Sequence, residues 1–216
     1  MQRTVRTITL LLVIIGLLAV VRRTYVLGYA ANSPEFGPAA ALDAGFASHR
    51  ALTLVHIIPA SLFICLAPLQ FLAGIRRRYI RWHRWSGRLL LLLGGIVGAS
   101  ALVMSYTMAI GGANETAATT LFGILFLVFL GFGFRSIRQH RIADHREWMT
   151  RAFGVALSVA TTRPIVGAFF AAGKLAPHEF FGTAFWLGFT LTLLGTEAWI
   201  HHSRASPEVR AISQQV

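Results

Sequence analysis

The chain has 216 residues, 55% of them hydrophobic and 13% charged, with a mean hydropathy of +0.62. Soluble domains carry about a quarter charged residues, so this balance excludes an ordinary soluble domain and predicts a membrane protein. The net charge of +12 is concentrated in short segments between apolar runs, which points to membrane topology and away from nucleic acid.

Six apolar runs follow in chain order, at Val5–Val21, Ala51–Ile75, Leu89–Ile110, Ala118–Phe134, Ala152–Ala172 and Phe180–Ile200. At about 1.5 Å per helical residue each is roughly 25 to 37 Å long, enough to cross a bilayer. None alternates as a barrel strand would, so the expected fold is all-α, a polytopic bundle of about six transmembrane helices. Residues 1–216 read as a single integral membrane domain, with the second to fifth helices forming a four-helix core. The first run has a basic start but Arg22 and Arg23 where a signal cleavage site would fall, which predicts a retained helix. Arg22 and Arg23 themselves are expected to snorkel to headgroups. The second run holds the single cysteine, Cys65, which leaves no intramolecular disulfide.

Arginines set the orientation. Arg76, Arg77, Arg78, Arg81, Arg84 and Arg88 separate the second and third runs, and Arg135, Arg138, Arg141, Arg146 and Arg151 separate the fourth and fifth. Arg204 and Arg210 follow the sixth, while "GGANETAATT" has no cation and "AAGKLAPHEF" has one lysine. The positive-inside rule gives N-in and C-in, in a bacterial cytoplasmic membrane, with anionic headgroups against the basic face. The long connection from Gly28 to His49 is then external, with turns at Pro34, Gly37 and Pro38. Pro59 and Pro164 are expected to kink the second and fifth helices. The sequon at Asn114 reads as chance.

Two blocks echo each other: "HRWSGR" opens the third helix and "HREWMTR" the fifth. Together with "PLQF…RRRYIRWHRWSGR" and "DHREWMTRAF…ATTR", they resemble the bacterial predicted-membrane-protein family known as domain of unknown function 2306. The resemblance covers about residues 48–167 and leaves most of the first and sixth helices outside. It implies fold and location and no mechanism. The positions it shares here are His56, Gln70, Arg76, His83, Arg84, Gly87, Arg88, His145, Trp148, Met149, Arg151 and Arg163.

Ionisable residues within spans are costly and mark function. His56, about 9 Å in from one surface, and Arg163, about 15 Å in, are expected to share a site in the outer half. His49, one heptad earlier, would line its entrance. At the inner end His83 and His145 start their helices beside tryptophans, Glu197 approaches from the sixth helix with His201 on the same face, and Arg88 and Arg151 lie deep enough to need anionic partners. Glu197 reads as the lone carboxylate inside a helix. Histidines from facing helices suit the iron of a haem b, with Arg84, Arg88 or Arg151 on its propionates. The expectation is a membrane oxidoreductase in which His83 and His145 ligate haem iron, or in which a quinone sits near Arg163, with electrons passed to a redox partner. An outer haem on His56 would need His49 or His178 as second ligand. No CxxCH occurs, so any haem is non-covalent. Three other readings compete: a transporter or channel with Arg163 and His56 as the binding pair, an assembly or lipid-binding protein without catalysis, and histidines that merely anchor the bundle in an aromatic belt of Trp82, Trp85 and Trp148.

Overall fold

A computed structural model describes residues 2–29 and 40–205. The expected turns at Pro34, Gly37 and Pro38, and the tail cation Arg210, lie outside the described residues. Within them the chain is α-helical throughout: α1 (Gln2–Tyr29), α2 (Ala40–Ser48), α3 (Arg50–Gln70), α4 (Ala73–Arg78), α5 (Ile80–Thr107), α6 (Gly112–Arg138), α7 (Ile142–Ala172) and α8 (Pro177–Ala205). Helix is the expected form because lipid offers backbone groups no partner and each helix bonds its own.

Helices α1, α6 and α8 run past their apolar runs at both ends, and α5 and α7 begin before theirs. The fourth run, read from Ala118, becomes a helix from Gly112, and the sixth, read from Phe180, becomes one from Pro177. Hydropathy marks where the chain meets lipid, whereas backbone bonding carries the helix on through the polar interface. The second run ends early: α3 stops at Gln70, Leu72 is extended, and the arginines of Arg76–Arg78 sit on the separate short α4. Pro59 and Pro164 stay within continuous helices. Each removes one helical donor, and for Pro164 the carbonyl so freed is that of Ala160. Helices α1, α3, α5, α6 and α7 are long and apolar enough to cross a membrane. Helix α8, at 29 residues, has the length, its run diluted by threonines and glycines.

Helix α7 is the hub, packed on α6, α8 and α1, while α3 packs on α5, α5 on α6, and α1 across α3 and α7. The main buried cluster draws on α3, α5, α6, α7 and α8, and α5 and α7 stand diagonal. Aromatic residues fill it: Phe63 meets Phe126 edge-on at 5.8 Å, and Phe122 stacks on Phe189 at 4.8 Å. The α7–α8 seam is closest where glycine faces threonine. A Cβ on Gly154 would lie 2.2 Å from Thr196 Oγ1, and one on Gly188 2.2 Å from Thr162 Oγ1. Small residues at such a seam let backbones approach without a hydrophobic driving force.

Candidate binding cavity

A cavity of about 390 Å³ lies at the end of the bundle that holds the α5–α6 and α7–α8 turns. Its walls are largely apolar, with Phe63, Phe122, Phe126, Phe185 and Phe189 among them, and its polar groups are Arg22, Arg23, His56, Ser105, Glu115, Thr119 and Arg163. Apolar walls with a few converging polar groups are the usual build of a small-molecule site.

His56 and Arg163 both line this cavity. Arg163 is half-buried, its Nε is shut off from solvent without a hydrogen-bond partner, and no carboxylate lies within ion-pair distance among the described residues. A guanidinium in hydrocarbon is costly unless something accepts its protons. Thr119 Oγ1, buried in the same wall, also lacks a partner.

The His56 tautomer follows from its neighbours. Ser100 donates its one hydroxyl proton to the Ile96 carbonyl at 2.6 Å, so at 3.0 Å its oxygen accepts from His56 Nδ1. Nδ1 therefore carries the proton, and Nε2 is left with a bare lone pair.

Glu115 is the residue that sequence reasoning missed, and it corrects the reading of Glu197 as the lone carboxylate inside a helix. Assigned to the loop "GGANETAATT", it lies in the first turn of α6, only 8% exposed. Its Oε2 accepts the amide N–H groups of Ile110 and Gly111, each at 2.7 Å. Those bonds pin the α5–α6 turn and leave Oε1 as the free oxygen. Acidic residues in a helix's first turn are favoured by its dipole, a signal that was present in the sequence. Next to it, Asn114 is engaged, its Oδ1 accepting from Trp186 Nε1 at 3.0 Å.

Arg22 and Arg23 do not simply reach for headgroups. Both bond Asp43 of α2: Arg22 at 3.0 and 2.7 Å, Arg23 at 2.5 Å, with the Arg23 guanidinium 3.7 Å over Phe46. This clasp ties α2 across the cavity. His49 lines no part of it: the residue is exposed at the start of α3 with Nδ1 3.0 Å from Ser48 Oγ. His178 is exposed on α8. Neither is placed to pair with His56 on a haem, and His56 shares the cavity with Glu115 instead.

At the opposite, basic end, His83 and His145 lie in the first turns of α5 and α7. His145 donates from Nδ1 to the Gly133 carbonyl at 2.8 Å, which leaves Nε2 free, the arrangement typical of a metal-ligating histidine. His83 Nδ1 is buried without a partner. The arginines assigned to propionates stand otherwise. Arg151 bonds Glu197 in bidentate fashion at 2.6 and 2.9 Å and lies 4.7 Å over the Trp148 ring. Arg88 is exposed, 5.3 Å over the Trp85 ring on the outer surface of α5, and Arg84 is exposed as well. His201 is exposed, one turn beyond Glu197. Most of "HREWMTR" is therefore a packing unit: Glu147 holds Arg204, Trp148 lies against Phe129 and Phe132, and Met149 fills the space a side chain on Gly133 would take. In the echoing block Ser86 accepts from Gln70 Nε2 at 2.7 Å, which ties α3 to α5.

These features define an all-helical membrane bundle with a mostly apolar cavity that converges on a guanidinium unpaired among the described residues. Residues 53–200 match the family described as predicted membrane protein DUF2306, and the chain belongs to it. The match reaches beyond the resemblance read from the motifs and takes in most of α8, while α1 stays outside. No curated protein and no solved structure matches the chain.

Proposed function

We propose that the cavity holds the head group of a quinone and that the protein is a membrane oxidoreductase moving electrons between that quinone and a haem b at the basic end, in a bacterial cytoplasmic membrane. The observation that carries this reading is Arg163, a guanidinium facing a cavity with donors to spare and no hydrogen-bonded acceptor among the described residues. A quinone suits it because the molecule is an apolar ring with an acceptor oxygen at each end. Arg163 would donate to one carbonyl and Thr119 could add a hydroxyl. His56, with Nε2 bare, would accept a proton as a quinol is oxidised or return one as a quinone is reduced. Two electrons and two protons pass in each full turnover, and the free Glu115 oxygen offers a second acceptor. The aromatic walls exclude water around the ring.

His83 and His145 are the proposed axial ligands, on the strength of their matching places in the first turns of α5 and α7 and the free Nε2 of His145. Haem would supply a one-electron carrier at that end. The Arg151–Glu197 pair would hold α7 and α8 in place behind it rather than clasp propionates. A spectrum of the detergent-purified protein tests this half: a Soret band near one haem per chain, lost in His83→Ala and His145→Ala, is expected. A colourless folded protein would remove the haem and leave the cavity claim standing.

The excess cation also favours a second reading, uptake of an anionic solute through the same cavity. Counterflow with reconstituted protein decides between the two, because a transporter moves label without any redox partner and loses that movement in Arg163→Gln.

A further inference from the structure

At the basic end lies a second cavity, of about 490 Å³, lined by Phe132, Arg135, Ser136, Arg141, Asp144, Glu147, Trp148, Arg151 and Arg204. It sits where α6 ends and α7 begins, flanked by the end of α8, at the level of the Trp148 ring. Its charges do not balance. Arg151 is taken by Glu197, and Arg204 by Glu147. Arg141 and Asp144 approach only to 3.5 Å, both exposed, and Arg135 has no ion pair among the described residues. Four guanidiniums thus meet three carboxylates (Asp144, Glu147 and Glu197), and the charge left over is that of Arg135.

We propose that this cavity is a binding site for the phosphodiester of an anionic lipid headgroup, with Arg135 and Arg141 on the phosphate and Phe132 and Trp148 against the glycerol and upper acyl chain. Three features select that chemistry. Arginine forks match phosphate oxygens in geometry and charge. One surplus cation suits a monoanion, while Asp144 and Glu147 in the same wall repel a dianion. The apolar side of the cavity is a rigid aromatic face, with Trp148 5.6 Å from Phe129 and 5.1 Å from Phe132, which suits a molecule that is part lipid. The platform beneath is preorganised, because the Arg151–Glu197 and Arg204–Glu147 pairs hold α7 to α8. The site is separate from the quinone cavity and stands without it.

The general attraction of a basic face for anionic lipid is the competing explanation, worth a few-fold in affinity for each arginine wherever it lies. Tryptophan fluorescence of the full-length purified protein separates the two. It is titrated with short-chain phosphatidylglycerol, short-chain phosphatidylcholine and inorganic phosphate. Arg135→Gln/Arg141→Gln is compared with Arg77→Gln/Arg78→Gln, and all four positions are exposed. The proposal expects saturable phosphatidylglycerol binding that falls at least about tenfold in the first double variant and no more than about twofold in the second. Phosphatidylcholine, whose headgroup carries no net charge, and inorganic phosphate should each bind at least about tenfold more weakly. The Arg135→Lys/Arg141→Lys variant should keep most of the affinity and guards against a folding artefact. Equal losses in the two glutamine variants, no loss in the first, or inorganic phosphate binding as tightly as the lipid would overturn it.

Discussion

Arg163 dominates the residue scale. Sequence reasoning found it, with His56, because ionisable residues inside spans are rare enough to stand out. What no single sequence shows is that Arg163 has no hydrogen-bond or ion-pair partner among the described residues. That lack of a partner makes two opposite predictions for one position. Removing the charge with Arg163→Met should stabilise the empty protein, by about 2 kcal/mol if the usual cost of arginine within a helix applies, seen as a higher melting temperature in detergent. Arg163→Gln should at the same time weaken the ligand by about 1.5–3 kcal/mol, the worth of a hydrogen bond to a charged donor. A partnered structural arginine would show the reverse, a large loss of stability and no ligand effect. Glu115 was hidden because its neighbours read as loop. Its role in pinning the Ile110 and Gly111 amides predicts that Glu115→Ala lowers stability by about 2 kcal/mol in a melting experiment, the penalty for stranding buried amide donors.

Among the elements, the clasp of α1 to α2 could not be read in advance. Arg22 and Arg23 lie about twenty residues from Asp43, and nothing local ties them together. Asp43 is buried between two guanidiniums, so Asp43→Asn should release α2 and expose the cavity mouth. The expected loss is about 3 kcal/mol, as when one partner of a buried pair is removed, with faster proteolysis between α1 and α3 as the readout. Unchanged cleavage would mean that α2 is held by its apolar contacts alone. The α7–α8 seam was legible only as clusters of small residues. Gly154→Val or Gly188→Val forces a side chain into the space of Thr196 or Thr162 and should cost about 1–3 kcal/mol. In the same way "HREWMTR" looked like a cofactor motif because histidine, tryptophan and arginine cluster in it. The structure gives most of these side chains intrachain partners, and only the free Nε2 of His145 keeps the haem expectation alive.

At the scale of the whole molecule, an all-helical bundle with five helices apolar enough to cross a membrane and a basic end follows from hydropathy and the spacing of arginines. Hydropathy could not place helix ends, since it reports lipid contact and the helices continue beyond it, and it could not report which polar groups pair. Orientation is a whole-molecule prediction. In a Cys65→Ser background, Lys174→Cys should react with an impermeant maleimide from the outside and Gln139→Cys only after the membrane is opened; the opposite pattern would invert the bundle. A binding titration of a short-chain ubiquinone analogue into the detergent-purified full-length protein tests the cavity most directly. One saturable site per chain, weakened at least about tenfold by Arg163→Gln while the melting curve stays cooperative, is the predicted result. A folded wild-type protein with no saturable site, or one whose affinity ignores Arg163→Gln, would contradict it.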